Sequence, residues 1–199
     1  MLVVDLEASG VDHRVHGILS IGAIDFLHPE RYFYGECRLW EDAHISQEAL
    51  DVNGFTREDV FDPEKQSEAQ LLDSFRLWVE NSEDHTIAGH NPHFDLVFLE
   101  NAYRRNDEVS ISLAHRVVDL HSIAFFNMIR NGDTLPKKNG RSNINSDTIM
   151  EYLGLPKEPL PHNALNGAIW EAEAFHRFFY GRFLFERFKD QPVHNSGNF

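Results

Sequence analysis

A second cysteine is missing from this chain of 199 residues; Cys37 stands alone. No internal disulfide can form, and a zinc site built on thiolates is excluded. Long apolar runs are missing as well, which excludes a membrane-spanning helix. The opening residues, MLVVDLEASG, carry neither a basic leader nor a cleavage signal. The expectation is therefore a cytoplasmic protein without a membrane partner. Positive charge is scarce: 18 Lys and Arg stand against 32 Asp and Glu, a formal net charge of −14. Proteins that coat nucleic acid leave a basic footprint, so broad binding to long duplexes is not expected. A protein that meets only a few terminal nucleotides escapes that argument. Repeats and a linker between domains are also absent, as are HExxH, CxxC and a GxSxG elbow. His85, His90 and His93 alone leave zinc hydrolysis as a weak rival.

What is present is an ordinary globular composition, with 42% hydrophobic and 25% charged residues. It predicts one domain over residues 1–189 and a frayed tail over 190–199. Apolar patterning predicts strands over 2–6, 17–27 and 31–40, the three antiparallel through tight links. A short helix follows over 46–52 with Ser46 as N-cap, then a helix over 67–80. A short strand at 86–89 leads to a helix from Pro92 to about Arg105, capped by Asn91. Residues 117–118 read as a strand and 120–129 as a helix. The polar stretch 131–145 reads as a mobile loop. Helices over 147–153 and 162–185 complete an α/β sandwich around a mixed sheet.

Chemistry concentrates in three places. Asp5 and Glu7 lie two apart on the first strand, so both side chains face one side. Their apolar neighbours Leu2, Val3, Val4 and Leu6 mark a central strand. Two carboxylates there repel unless they share a cation, and oxygen donors suit Mg²⁺ or Mn²⁺. The competing reading puts both at the strand's solvated end. Asp95, in HNPHFD, shares a helix face with Phe98, Leu99 and Ala102, which suggests a ligand rather than a residue serving only the helix dipole. His162 follows Pro159, Leu160 and Pro161 ahead of the last helix, where an imidazole could act as a general base or merely meet solvent.

The order DxE, then HNxxFD, then PHNAL resembles the histidine branch of the DEDD-type 3′–5′ exonucleases, the ribonuclease T-like superfamily. The likeness spans roughly residues 2–180, with VNGFT at 52–56 and VVDLHSIAF around Asp119 also resembling family segments. It implies a ribonuclease H-like three-layer α/β/α sandwich. It implies two divalent cations, Mg²⁺ or Mn²⁺, with Asp5 bridging them, Glu7 on one and Asp95 supporting the other. His162 would take the proton of the attacking water, and nucleoside 5′-monophosphates would leave from DNA or RNA 3′ ends. Backbone amides around Ala8, Ser9 and Gly10 would hold the terminal hydroxyl. Phe55 and Phe94 are stacking candidates or core residues. Relatives often pair as homodimers.

One departure matters. The resemblance calls for an aspartate five residues after the histidine, and Gly167 occupies that position. Either the site is weakened, leaving a nucleic-acid-binding or scaffold protein, or Glu171 replaces the missing acid from one helical turn later. The second alternative treats Gly167 as leaving space; an ordinary solvated Glu171 is the plainer reading. Short or single-stranded ends are the expected substrate because the surface is acidic. Lys137, Lys138 and Arg141 are the compact basic group expected to guide it, or simply a solubilising loop.

Overall fold

The computed structural model describes residues 1–106 and 116–193. Strands β1 (Leu2–Ala8), β2 (Ile18–Asp25) and β3 (Tyr32–Glu36) form an antiparallel meander. Strands β4 (Ile87–Gly89) and β5 (Val118–Asp119) add parallel to β1, giving the order β3-β2-β1-β4-β5. The third strand is shorter than its sequence pattern suggests, because pairing with β2 ends at Glu36.

Helices cover both faces of the sheet. On one side α3 (Glu68–Glu80) and α4 (Pro92–Arg105) pack on Leu2, Val4, Leu6 and Ile21. On the other, Val3, Ile24 and Ala88 meet α5 (Leu120–Asn131), α6 (Ser146–Tyr152) and α7 (Ala164–Tyr180). Every residue of β2 is buried, as expected of a strand covered on both faces. Full burial of one such leucine or isoleucine stabilises the fold by about 1.5–3 kcal/mol. Two short helices, α1 (Gln47–Asn53) and α2 (Arg57–Val60), close one end.

Local chemistry explains the boundaries. Ser46 and Ser67 cap α1 and α3 through their side chains. Thr56 and Asp59 form a reciprocal capping box on α2, a helix the apolar pattern does not reveal because it is one turn long. Asn91 differs from expectation: it adopts a left-handed conformation (φ 58°) and makes no side-chain cap. Its N–H instead donates to Asp119 Oδ1 at 3.1 Å. The last helix starts at Ala164, after the Asn163 cap, which leaves His162 in the preceding loop. It ends at Gly181 rather than near 185 because that residue takes a left-handed C-cap (φ 61°).

Two loop expectations change. Within 131–145, β6 (Lys137–Lys138) pairs antiparallel with β7 (Arg141–Ser142). At the chain end, Pro192 O accepts a hydrogen bond from the buried Arg177 at 2.7 Å. Arg177 also pairs with the fully buried Glu173, whose other oxygen accepts from Leu184 and Phe185 N–H groups. The start of the expected tail is thus tied to α7; residues 194–199 lie outside the described part.

Candidate active site

Strand alternation places Leu2, Val4 and Leu6 against α3 and α4, so Asp5 and Glu7 share the α7 face with Val3. There the sheet and helix approach closely. A Cβ on Gly167 would lie 2.1 Å from Asp5 Oδ2, and one on Gly22 would lie 2.1 Å from the Ala164 backbone. Gly22 pairs with Asp5 across the sheet. These two glycines therefore let the first turns of α7 press onto the acidic end of β1. The idea that Gly167 leaves space needs correcting: the Asp5 carboxylate fills it.

Asp95 reaches the same place from the first turn of α4. It is 5% exposed, and its Oδ1 accepts the Leu6 N–H at 3.1 Å. Glu171 enters from the second turn of α7 and is 6% exposed. Its Oε1 accepts the His90 N–H at 3.1 Å, while its buried Oε2 has no hydrogen-bond partner. The plain reading of Glu171 as a solvated surface residue therefore fails. The phase argument also separates Glu173 correctly, since that side chain serves Arg177.

The electrostatics report a crowd of like charges. Burial pushes the Asp5 carboxyl well above the usual range, and Glu171, Asp95, Glu7 and Glu158 push it further. Burial lifts Glu7 to about 7, with Glu158 adding to it and the Asn53 amide opposing. Asp95 rises to about 8, mainly through burial, although its own and the Leu6 backbone amides hold it down. Burial and then Asp95 raise Glu171. No Lys or Arg forms an ion pair with any of these acids among the described residues.

Such a set fits a hard divalent cation: the donors are oxygens, the charge is uncompensated, and Glu171 Oε2 has no partner. The described residues contain no trio of His, Cys, Asp or Glu already gathered tightly enough to hold a metal. The fit therefore rests on donor chemistry and charge. The zinc alternative has no such support. His85 and His90 bond the Ser82 and Ile144 carbonyls, and His93 is exposed.

His162 is seated by α1. Its N–H donates to Val52 O at 3.0 Å. Gly54, left-handed at φ 75°, lets Pro161 pack where a side chain would otherwise stand. Asn53, between them, donates to Ala8 O at 3.3 Å. The VNGFT segment thus joins the histidine loop to the acidic end of β1. Sequence reasoning missed Glu158. Burial raises its pKa, while His162 and the Asn163 N–H lower it. Its only sequence signal is an acid four residues before the histidine in a proline-framed loop.

Beside Glu7 lies a cleft of about 530 Å³ whose lining includes Ala8, Gly10, His16, Ser46 and Phe94. Phe94 therefore stands where a base could stack. Phe55 does not line it; it packs near Leu19, Leu39 and Leu50, with Lys65 over its ring at 4.7 Å. Ser9 is engaged internally: its N–H donates to Gly17 O, and its hydroxyl donates to His44 O and accepts from Gly17 N–H. That leaves the Gly10 amide as the better placed of the three proposed donors, since it makes no hydrogen bond among the described residues.

Known proteins share this architecture. The nuclease domain of 3′hExo, a DEDDh family member bound to rAMP, is 15% identical, with a TM-score of 0.68 and coverage of 97% of this chain and 94% of that one. Cell-death related nuclease 4 is 15% identical at TM-score 0.71, covering 89% of this chain and 62% of that one. E. coli exonuclease I in complex with a dA16 oligonucleotide is 18% identical at TM-score 0.71, covering 91% of this chain. The chain spans only 40% of that exonuclease. The fold is the ribonuclease H-like α/β/α sandwich of the DEDDh exonucleases. The family described as the 3′–5′ exoribonuclease Rv2179c-like domain matches residues 1–179, and this chain belongs to it.

Proposed function

We propose that this protein hydrolyses phosphodiester bonds from the 3′ end of single-stranded nucleic acid, RNA first, and releases nucleoside 5′-monophosphates. The observation that carries the reading is the mutual electrostatic repulsion of Asp5, Glu7, Asp95 and Glu171, two half-buried and two buried, with no Lys or Arg ion pair to any of them among the described residues. The family description supports RNA. The acidic surface supports short or single-stranded ends over long duplexes.

Asp5, Glu7, Asp95 and Glu171 would hold the divalent cations. Bound there, Mg²⁺ or Mn²⁺ supplies Lewis acidity toward the phosphate and makes water a stronger acid. His162 accepts the proton of the attacking water. Glu158 interacts electrostatically with His162, which lowers the Glu158 pKa against the effect of burial and favours a negative charge beside the histidine loop. The cleft beside Glu7 receives the terminal nucleoside, with Phe94 against the base and the Gly10 amide toward the sugar hydroxyl.

A second reading, a weakened nuclease that binds without cutting, draws on Gly167, which removes one acid from the family pattern. The test is Mn²⁺-dependent release of mononucleotides from labelled oligonucleotides. General-base contributions of about 10²–10⁴-fold set the expected loss in His162→Ala. Turnover unaffected by that substitution would contradict the mechanism, and no turnover by the unaltered protein would favour the second reading.

A further inference from the structure

The β6–β7 hairpin is a preformed element. Lys137 pairs with Ser142 and Lys138 with Arg141 across a two-residue Asn-Gly turn. Asn139 (φ 52°) and Gly140 (φ 75°) both lie in the left-handed region that such a turn requires. The tip is open, since a Cβ on Gly140 would meet nothing within 4 Å. Both strands are exposed on all four residues.

Its root is firm. Asn143 N–H donates to Pro136 O at 2.9 Å, closing the base. Ser142 Oγ contacts His121 Nε2 at 2.9 Å, and Ile144 O contacts His90 Nε2 at 3.2 Å. Ile144 itself is buried in the core. The same His90 donates its backbone N–H to Glu171. The hairpin is therefore attached, through one residue, to the acidic site.

Topology places it on a specific side. Strands β1, β4 and β5 run parallel, so their carboxyl ends share one edge of the sheet. The nucleoside cleft lies at the end of β1, toward α1. His90 follows β4 and His121 follows β5, so the hairpin stands at the opposite side of the acids.

Its positive charge is also concentrated. Arg14, Arg31, Lys65, Arg76, Arg105, Lys157, Arg177 and Lys189 each pair with a carboxylate. Lys137, Lys138 and Arg141 pair with none among the described residues, as is also true of Arg38, Arg57, Arg104, Arg182 and Arg187; the hairpin differs in gathering three such cations within five residues. Three exposed, uncompensated cations on a rigid arm, in a chain of net charge −14, mark a site for a polyanion.

Resting on the exonuclease reading, we infer that this hairpin binds the phosphates of the single-stranded body of the substrate, upstream of the end held in the cleft. The arm offsets the repulsion that the acidic surface imposes on a longer strand. Its contribution rises with strand length and falls with salt.

The test is binding, separate from turnover. A single-stranded RNA 20-mer and a trimer of the same 3′ sequence, both with phosphorothioate linkages, are titrated by fluorescence anisotropy with Ca²⁺ as the cation. Wild type should bind the 20-mer more tightly than the trimer. The triple substitution Lys137→Glu, Lys138→Glu, Arg141→Glu should weaken 20-mer binding about tenfold or more at low salt, with a smaller loss for the trimer. Loss of three contacts should flatten the slope of log affinity against log salt by about 2. The exposed positions let an unchanged melting temperature verify folding. Equal 20-mer affinity in wild type and variant overturns the inference, as does no preference for the 20-mer over the trimer. Tighter binding of a 20-base-pair duplex overturns the single-strand assignment. Length-dependent binding by a protein that fails to hydrolyse unmodified RNA would sink the exonuclease reading while supporting the arm.

Discussion

Raising the pH of the metal-free protein from about 5.5 to 8.5 should destabilise it, and a divalent cation should reverse the effect. Asp5, Glu7, Asp95 and Glu171 all have carboxyl pKa values raised in the fold. For such groups the folded state favours the protonated form. Stability is therefore full below the ordinary carboxyl range and falls as pH climbs through the raised values. Glu7 moves from 4.5 to about 7 and Asp95 from 3.8 to about 8, which sets the window. Counted from pH 5.5 up to those values, at about 1.4 kcal/mol per pH unit, the shifts correspond to about 2 and about 3 kcal/mol taken separately. The acids share one mutual repulsion and Glu7 keeps some solvent, so the figures do not add; on the order of 4 kcal/mol is the expected total. For a domain near 200 residues that lowers the melting temperature by roughly 10 °C. Carboxyls held low by hydrogen bonds, such as Asp84 at about 2, complete their titration beneath the window. Scanning calorimetry in EDTA across this range measures the fall. Mn²⁺ at about 100 times its dissociation constant should restore about 2.7 kcal/mol at the alkaline end. A melting temperature that stays level or rises between pH 5.5 and 8.5 in EDTA would refute the reasoning.

Glu171→Gln takes one carboxyl out of the mutually repelling set, so the metal-free protein should lose less stability than the unaltered protein as pH rises from about 5.5 to 8.5. The same change should shrink the thermal shift produced by Mn²⁺; identical shifts in both proteins would exclude Glu171 as a ligand. Gly167→Asp, which restores the family residue in name, places its Cβ 2.1 Å from Asp5 Oδ2. Overpacking of this kind costs about 1–3 kcal/mol, and turnover should fall rather than recover. Higher mononucleotide release by that variant would show that Asp5 yields its place.

The DxE spacing on an apolar strand was enough to place Asp5 and Glu7 on one face, because strand alternation is a local rule. Ser46 likewise announces its cap through short-range hydrogen bonding, whereas the Asn-Gly turn sits in a polar stretch that reads as a loop and becomes a hairpin in the structure. The order of three acidic or histidine motifs already pointed to the family, against an acidic composition that by itself argues the other way. Tertiary structure decided the rest, because it depends on pairs far apart in the chain. Only packing shows that Gly167 is filled by Asp5, 162 residues earlier. Only burial separates Glu171, with a partnerless oxygen, from a surface glutamate with the same helical spacing. Phe94 and Phe55 read alike in sequence, yet one lines the cleft and the other fills a core. The Ser9 amide, one of three the resemblance assigns to the terminal hydroxyl, donates to Gly17 O instead, and its hydroxyl donates to His44 O. Local rules determine which way a side chain points; what already occupies the space it points into is set by the approach of distant elements.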